Sequence, residues 1–211
     1  MARNLPVRGE RHIDEVQIFP QRGFVYHIKG GGISGKLMRP FAELWAALTL
    51  SQGEYVHWID GASRFNPARI MNNFPQHIPQ PEQLLHGLFV GRGFTVHQFS
   101  HLIERLSDEI KITKARLIVV DGPITMHLDS QVNDYEARSL LRKSMNILSQ
   151  IAIDYQIPVV VITAAKGFSQ RHASLLALVA NRSQNSLVGR YRRHMGKNKL
   201  WLTHLPSGSS G

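Results

Sequence analysis

A glycine-rich turn between an apolar strand pattern and an amphipathic helix pattern constrains the fold of this chain more than any other feature. Residues 30–36 follow the spacing G-x-x-x-x-G-K, with glycine at Gly30 and Gly35 and then Lys36. Glycine lets backbone N–H groups approach an anion closely, and the helix N-terminus and Lys36 add positive charge. The next position normally carries a Ser or Thr hydroxyl for Mg²⁺, but here it is Leu37. The turn therefore predicts a phosphate cradle without its metal-binding hydroxyl.

Strand and helix patterns alternate along the rest of the chain. Apolar strand patterns lie at residues 24–28, 55–60, 84–90, 117–121 and 158–163. Helical periodicities lie at residues 36–53, 99–110, 137–155 and 175–180. Two further strand patterns, at 187–191 and 200–205, flank a turn at 195–198. Together they predict an α/β fold, with a largely parallel central sheet flanked by helices and a C-terminal β-hairpin.

The two ends of the chain lack the strand and helix patterns of its middle. We expect residues 1–12 to be a flexible N-terminal arm, residues 13–206 to form one core domain, and residues 207–211 to be a flexible tail. No apolar run approaches the roughly 20 residues of a membrane span, and the N-terminus has no apolar signal core. These features predict a cytoplasmic protein without a membrane partner. The absence of cysteine excludes disulfides and thiolate metal sites, and no metal site is predicted.

The charge balance points to a polyanionic partner. The chain has 25 Lys and Arg against 15 Asp and Glu, a formal net charge of +10. Such an excess favours nucleic acid and, less strongly, an anionic membrane surface. A protein that simply has a basic isoelectric point remains the alternative at this stage.

Once the elements are placed, several motifs resemble the RecA/RadA-type recombinase ATPase core, including its shorter paralogues without an N-terminal domain. The resemblance spans residues 13–206 and includes the glycine turn, residues 58–60, and an F-x-P-x-R segment from Phe65 to Arg69. Residues 117–121 resemble the strand of the Walker B element, which ends in Asp121. Residues 136–138 and 157–163 resemble the region between the two DNA-binding loops. The resemblance implies a RecA-like P-loop NTPase fold.

The same resemblance assigns a nucleotide site. Asp121 would orient Mg²⁺ or its water, and Arg69 would lie against the adenine. The alternatives are a strand-end acid that caps the next turn for Asp121 and a surface ion pair for Arg69. The phosphates of ATP would be held by Gly30, Gly31, Gly32, Ile33, Ser34, Gly35, Lys36 and Leu37.

Three departures from the family pattern all remove reaction chemistry. Leu37 replaces the metal-binding hydroxyl, and Ala62 stands where the family carries the glutamate that activates water. Ala164 and Ala165 stand where the family has an Asn-Gln pair that senses the γ-phosphate. Because losing a general base alone costs about 10²–10⁴-fold in rate, we predict absent or vestigial hydrolysis and no catalytic residues. ATP is expected to bind weakly at most, and Mg²⁺ is expected to bind only together with ATP.

Basic residues cluster near the segments that resemble the DNA-binding loops and on the C-terminal hairpin. They predict sequence-independent phosphate contacts, with single-stranded DNA as the expected ligand; the alternative is a charged edge hairpin protected against aggregation. The candidate DNA-binding residues are Arg138, Arg142, Lys143, Lys166, Arg171, Arg182, Arg190, Arg192, Arg193, Lys197 and Lys199.

Three functions follow from these patterns. The leading hypothesis is a RecA/RadA-like recombinase paralogue that acts as a DNA-binding or recombination and repair accessory protein. In this hypothesis its ATP hydrolysis is lost or vestigial, and it pairs with a RecA/RadA-family subunit. The second is an active DNA-dependent ATPase that completes its site with a neighbouring subunit. The third is a KaiC-like protein-interaction module in which the charge is incidental.

Overall fold

The computed structural model describes residues 10–12, 20–194 and 197–205 of the 211-residue chain, with side chains for residues 20–189. The predicted tail, residues 207–211, lies outside the described residues. Residues 10–12, which belong to the predicted arm, form a short strand, β1 (Glu10–His12). None of the described helices is long and apolar enough to cross a bilayer.

One sheet organises the described residues. Its strands are β1, β2 (Val25–Gly30), β3 (Val56–Asp60), β4 (Leu88–Arg92), β5 (Leu117–Asp121), β6 (Val159–Ala164), β7 (Asn185–His194) and β8 (Lys197–Leu205), in the order β1-β8-β7-β2-β6-β5-β3-β4. The six strands from β7 to β4 pair in parallel, whereas β8 pairs antiparallel with β7 and β1. The predicted α/β fold with a largely parallel sheet and a C-terminal hairpin is therefore confirmed.

Helices cover both faces of this sheet. They are α1 (Arg39–Ser51), α2 (Pro67–Met71), α3 (Pro81–Leu84), α4 (Val96–Thr113), α5 (Asp134–Tyr155) and α6 (Gln170–Asn181). One apolar core packs α4, α5 and α6 against one face, and a second packs α1 and α2 against the other. Strands β3 and β5 are buried along their whole length, as expected for parallel strands covered on both sides.

Two element boundaries differ from the sequence prediction. The helix expected from Lys36 begins at Arg39, because Ser34 and Gly35 have left-handed φ values of 52° and 73° and residues Ile33–Met38 form a 3₁₀ turn. The strand expected at residues 84–90 is Leu88–Arg92. Pro81 occupies the first turn of α3, and a second 3₁₀ turn at Leu85–Gly87 delays the strand.

Candidate functional site

The glycine loop, residues 30–37, lies at the carboxyl edge of the sheet. Gly30 is the last residue of β2 and is in register with Ala164 of β6 and Gly189 of β7. In parallel α/β sheets this edge is where ligands bind. Helices α4, α5 and α6 begin at the same edge, where the side chains of Thr95, Asn133 and Ser169 cap their first amides. The glycine loop and the starts of these three helices therefore share one edge of the sheet.

Three hydrogen bonds hold the loop against its neighbours. Arg64 Nη1 donates to the carbonyl of Ile33 at 2.9 Å. The hydroxyls of Ser34 and Thr125 are 2.8 Å apart, and the amide of Ala165 donates to the carbonyl of Gly30 at 2.9 Å. The loop is thus tied to the segments that follow β3, β5 and β6.

Part of the hydrogen-bonding capacity of the loop is used inside the loop itself. The amide of Gly35 donates to the carbonyl of Gly32 at 3.1 Å, and the amide of Leu37 donates to that of Gly31 at 3.2 Å. The Lys36 side chain lies beside Gly32: a Cβ built on Gly32 would be only 2.6 Å from Lys36 Cγ. A phosphate in this loop would compete with carbonyl oxygens for two of the amides.

Asp121 ends β5 and is completely buried. Its Oδ2 accepts a hydrogen bond from Nε of Arg39, a buried residue that begins α1. Oδ1 is also buried and has no hydrogen-bond partner among the residues that the structure describes. Burial raises the pKa of Asp121 to about 6, although the Arg39 guanidinium acts in the opposite direction. The carboxylate proposed for magnesium therefore has an arginine as its neighbour.

This ion pair continues into a chain of alternating charges. Glu43, four residues after Arg39 on α1, is buried, and this burial raises its pKa while Arg69 and Arg39 lower it. Arg69 Nη1 is 3.8 Å from Glu43 Oε1, and the Arg69 side chain is 54% exposed. This contact corresponds to the ion-pair alternative for Arg69.

The strand-end acid role weighed for Asp121 is performed by its neighbour Asp60, which is in register with it on β3. Asp60 is buried and accepts from the amides of Ala62, Arg64 and Phe65, and its Oδ2 lies 2.9 Å from Arg92 Nη2. Its oxygens are therefore fully used in holding the turn after β3.

Ala62 borders the glycine loop. A Cβ built on Gly122 would lie 2.7 Å from the Ala62 methyl carbon and 3.3 Å from the Ser34 Cβ. A cavity of about 370 Å³ opens beside them and is lined by the loop and by the segments after β5 and β6. Its lining is largely apolar and includes Ile33, Ile124, Leu128, Lys166, Phe168 and His172.

The predicted DNA-binding residues are spread over several elements. Arg138, Arg142 and Lys143 are exposed on α5, and Lys143 Nζ is 2.7 Å from Glu104 Oε1. Arg171 Nη1 lies 3.3 Å from Asp134 Oδ1. Arg182 is hydrogen-bonded to Asn146 and follows α6, whose 12 residues place it about 18 Å from the carboxyl edge. The structure therefore does not bring Arg182 together with Lys166.

The C-terminal hairpin carries the other predicted cations. Strand β7 pairs with β2 only as far as Gly189, so residues 190–194 continue beyond the end of β2, for about 16 Å at the usual rise. The hairpin strands are longer than predicted, and Arg192 is in register with Lys199 and His194 with Lys197. Arg190, Arg192, Arg193, Lys197 and Lys199 thus all belong to the projecting part of the hairpin or its return strand.

Three residues of this site were not predicted from the sequence: Arg39, Glu43 and Arg64. Opposite charges four residues apart on the otherwise apolar face of α1 were the available signal for Arg39 and Glu43. The structure describes no cluster of three or more metal-ligating residues in its part of the chain.

The parallel sheet and the glycine loop at its carboxyl edge define a RecA-like core. Residues 43–204 match the Rad51 family, and the chain therefore belongs to that family. The match includes Asp121 and Arg69, and it begins after the glycine loop. A comparison with curated proteins finds no match. The chain is thus a recombinase-like protein.

Proposed function

We propose that this chain is a DNA-binding accessory protein of recombination or repair whose RecA-like core has lost ATP hydrolysis. The observation that carries the proposal is the buried ion pair between Arg39 and Asp121. Leu37 and Ala62 add to it, since neither side chain can bind a metal or accept a proton. Residual ATP binding would be weak, because the amides of Gly35 and Leu37 already have partners within the loop.

We expect no magnesium-dependent ATP hydrolysis above background, with or without single-stranded DNA. The double variant Leu37→Thr with Ala62→Glu should stay at background too, because Arg39 still pairs with Asp121. Phosphate release with purified protein measures the rate, and Lys36→Ala is the control for a contaminating ATPase. Turnover that Lys36→Ala abolishes would contradict the proposal and favour an ATPase that completes its site with a neighbouring subunit.

The DNA part of the proposal is supported by membership of the Rad51 family and by the distribution of charge. Lys166 is exposed at the rim of the apolar cavity, and Arg138 and Arg142 are exposed on α5. The projecting hairpin adds five cationic residues. Contacts of this kind are made with phosphates and do not depend on sequence.

Binding to a fluorescent 30-mer of thymidine is therefore expected to weaken about 50-fold between 50 and 200 mM salt if four phosphates are contacted. Lys166→Glu with Arg192→Glu should weaken it by roughly a further tenfold at fixed salt. The matched control is Arg105→Glu with Lys111→Glu, which changes the net charge equally on α4. Fluorescence anisotropy gives the affinities. Equal losses in both double variants would show that only net charge matters and would favour the protein-interaction alternative.

The proposal includes pairing with a RecA/RadA-family subunit. Ile33 and Phe168, at the mouth of the cavity, are 69% and 79% exposed. Exposed apolar side chains beside a cavity favour a protein contact at this edge of the sheet.

A further inference from the structure

We propose that Arg39 is a built-in counter-ion that permanently takes the place of Mg²⁺ at Asp121. The inference rests on the proposed function and its RecA-like site. It assigns the loss of metal chemistry to Arg39, a residue outside the G-x-x-x-x-G-K motif. It predicts that the site binds no divalent cation even when the loop is otherwise intact.

Arg39 is held beside Asp121 by its position at the start of α1. Arg39 begins α1 shortly after the glycine loop, and Asp121 ends β5, so the guanidinium links the start of α1 to the end of β5. Arg39 is 3% exposed and Asp121 is 0% exposed. An arginine remains protonated at any physiological pH, so this cation does not dissociate as a metal ion does.

Neither strand-end carboxylate is open to Mg²⁺. This ion requires six oxygen ligands in near-octahedral geometry, usually several of them water. The side chain of Leu37 offers no oxygen, and the Asp60 carboxylate is used by three amides and by Arg92. Asp121 Oδ2 accepts from Arg39, and Asp121 Oδ1 is shielded from solvent. A hydrated metal ion would have to displace the guanidinium to reach Asp121.

The surroundings compensate the buried guanidinium. Glu43 is buried one turn along α1 and interacts electrostatically with Arg39, and Arg69 approaches Glu43 from α2. Two acids and two bases therefore alternate from β5 to the surface. Removing one member of such a buried set leaves an uncompensated charge, whereas removing both members of a pair does not.

A double-mutant cycle tests the pairing by thermal unfolding of the full chain. Arg39→Met is expected to lower Tm by on the order of 10 °C, because Asp121 is left buried and unpaired. Combining it with Asp121→Asn should restore part of that loss. Arg92→Met is the matched control, since Asp60 keeps its three amide donors, and it should cost clearly less. Strictly additive effects of Arg39→Met and Asp121→Asn would overturn the proposal.

Titration with Mn²⁺ alone, followed by electron paramagnetic resonance, tests the metal. We expect no site at millimolar Mn²⁺ in the unmodified protein. A Mn²⁺ site that Asp121→Asn abolishes would overturn the proposal. Neither experiment contains ATP or DNA, so the result is independent of the ATPase and DNA-binding assays that test the proposed function.

Discussion

Gly35→Ala is expected to lower the free energy of unfolding by about 3–5 kcal/mol, whereas Gly53→Ala should cost only about 1 kcal/mol. The two glycines have nearly the same φ, 73° and 74°. The left-handed φ therefore disfavours an alanine at both positions, and the available space is what separates them.

The space at Gly35 is closed by backbone. A Cβ built there would lie 2.5 Å from the carbonyl carbon of Thr163 and would overlap its oxygen, whereas a Cβ on Gly53 has no atom of the described residues within 4 Å. A carbonyl at the end of a central strand cannot move aside as a flexible side chain does. Urea denaturation gives both free energies, and equal losses would show that the contact with β6 is not tight.

The glycines of the loop have a packing role that does not involve a ligand. The sequence pattern explains Gly35 by close approach to a phosphate, but the structure supplies a reason that needs no ligand. Gly35 packs against the end of β6, and Gly30 is likewise crowded by the Met38 side chain. The glycines of the motif are therefore stronger evidence for the fold than for nucleotide binding.

The fold was predictable because its signals are local. The unbroken apolar run from Leu117 to Val120 is fully buried in the centre of the sheet, and such a run needs no knowledge of its partners to be recognised. The start of β4 at Leu88 was not predictable in this way, because the apolar residues Leu84 and Leu85 pack on the core from helical turns.

The candidate site was only partly predictable because its decisive contact is not local. Arg39 and Asp121 are 82 residues apart in sequence, and a charged residue near the start of a helix usually faces solvent. Nothing in the spacing of the motif indicates that this arginine is buried against the strand-end acid. The histidines, which appear scattered in the sequence, are a second case, because the fold buries several of them.

The free energy of unfolding is expected to fall by about 2–3 kcal/mol between pH 7 and pH 5. His27 and His127 are buried, and desolvation lowers their pKa values to about 3 and about 4. Each is neutral in the fold at pH 5 but protonated in the unfolded chain, which costs about 2 kcal/mol of stability per residue. Stability is therefore complete above the ordinary histidine pKa of about 6.5 and is lost as the pH falls towards 4.

Asp121 opposes this trend. Its raised pKa, about 6, means that the folded state takes up its proton before the unfolded state does. Its contribution to stability is therefore present below the ordinary aspartate pKa and is lost as the pH rises through 6, which returns about 1 kcal/mol at pH 5. His57 and His172, whose pKa values burial also lowers, act in the same direction as the first two histidines.

Two substitutions separate these contributions while keeping the hydrogen bonds. His127 Nδ1 is 2.9 Å from the carbonyl of Pro123, and the amide of an asparagine can replace that donor. His27 Nε2 is 2.6 Å from Thr163 Oγ1, and the longer glutamine reaches that position.

We expect His127→Asn and His27→Gln each to remove about 2 kcal/mol of the pH dependence, with His101→Asn on the exposed face of α4 as the control. Urea denaturation at half-unit intervals from pH 5 to pH 7.5 measures the slope. If the slope is unchanged in both variants, these buried imidazoles are not the groups that couple stability to pH. The slope has this origin because His27, in the central strand β2, and His127, in the turn after β5, are buried where desolvation opposes protonation of the imidazole.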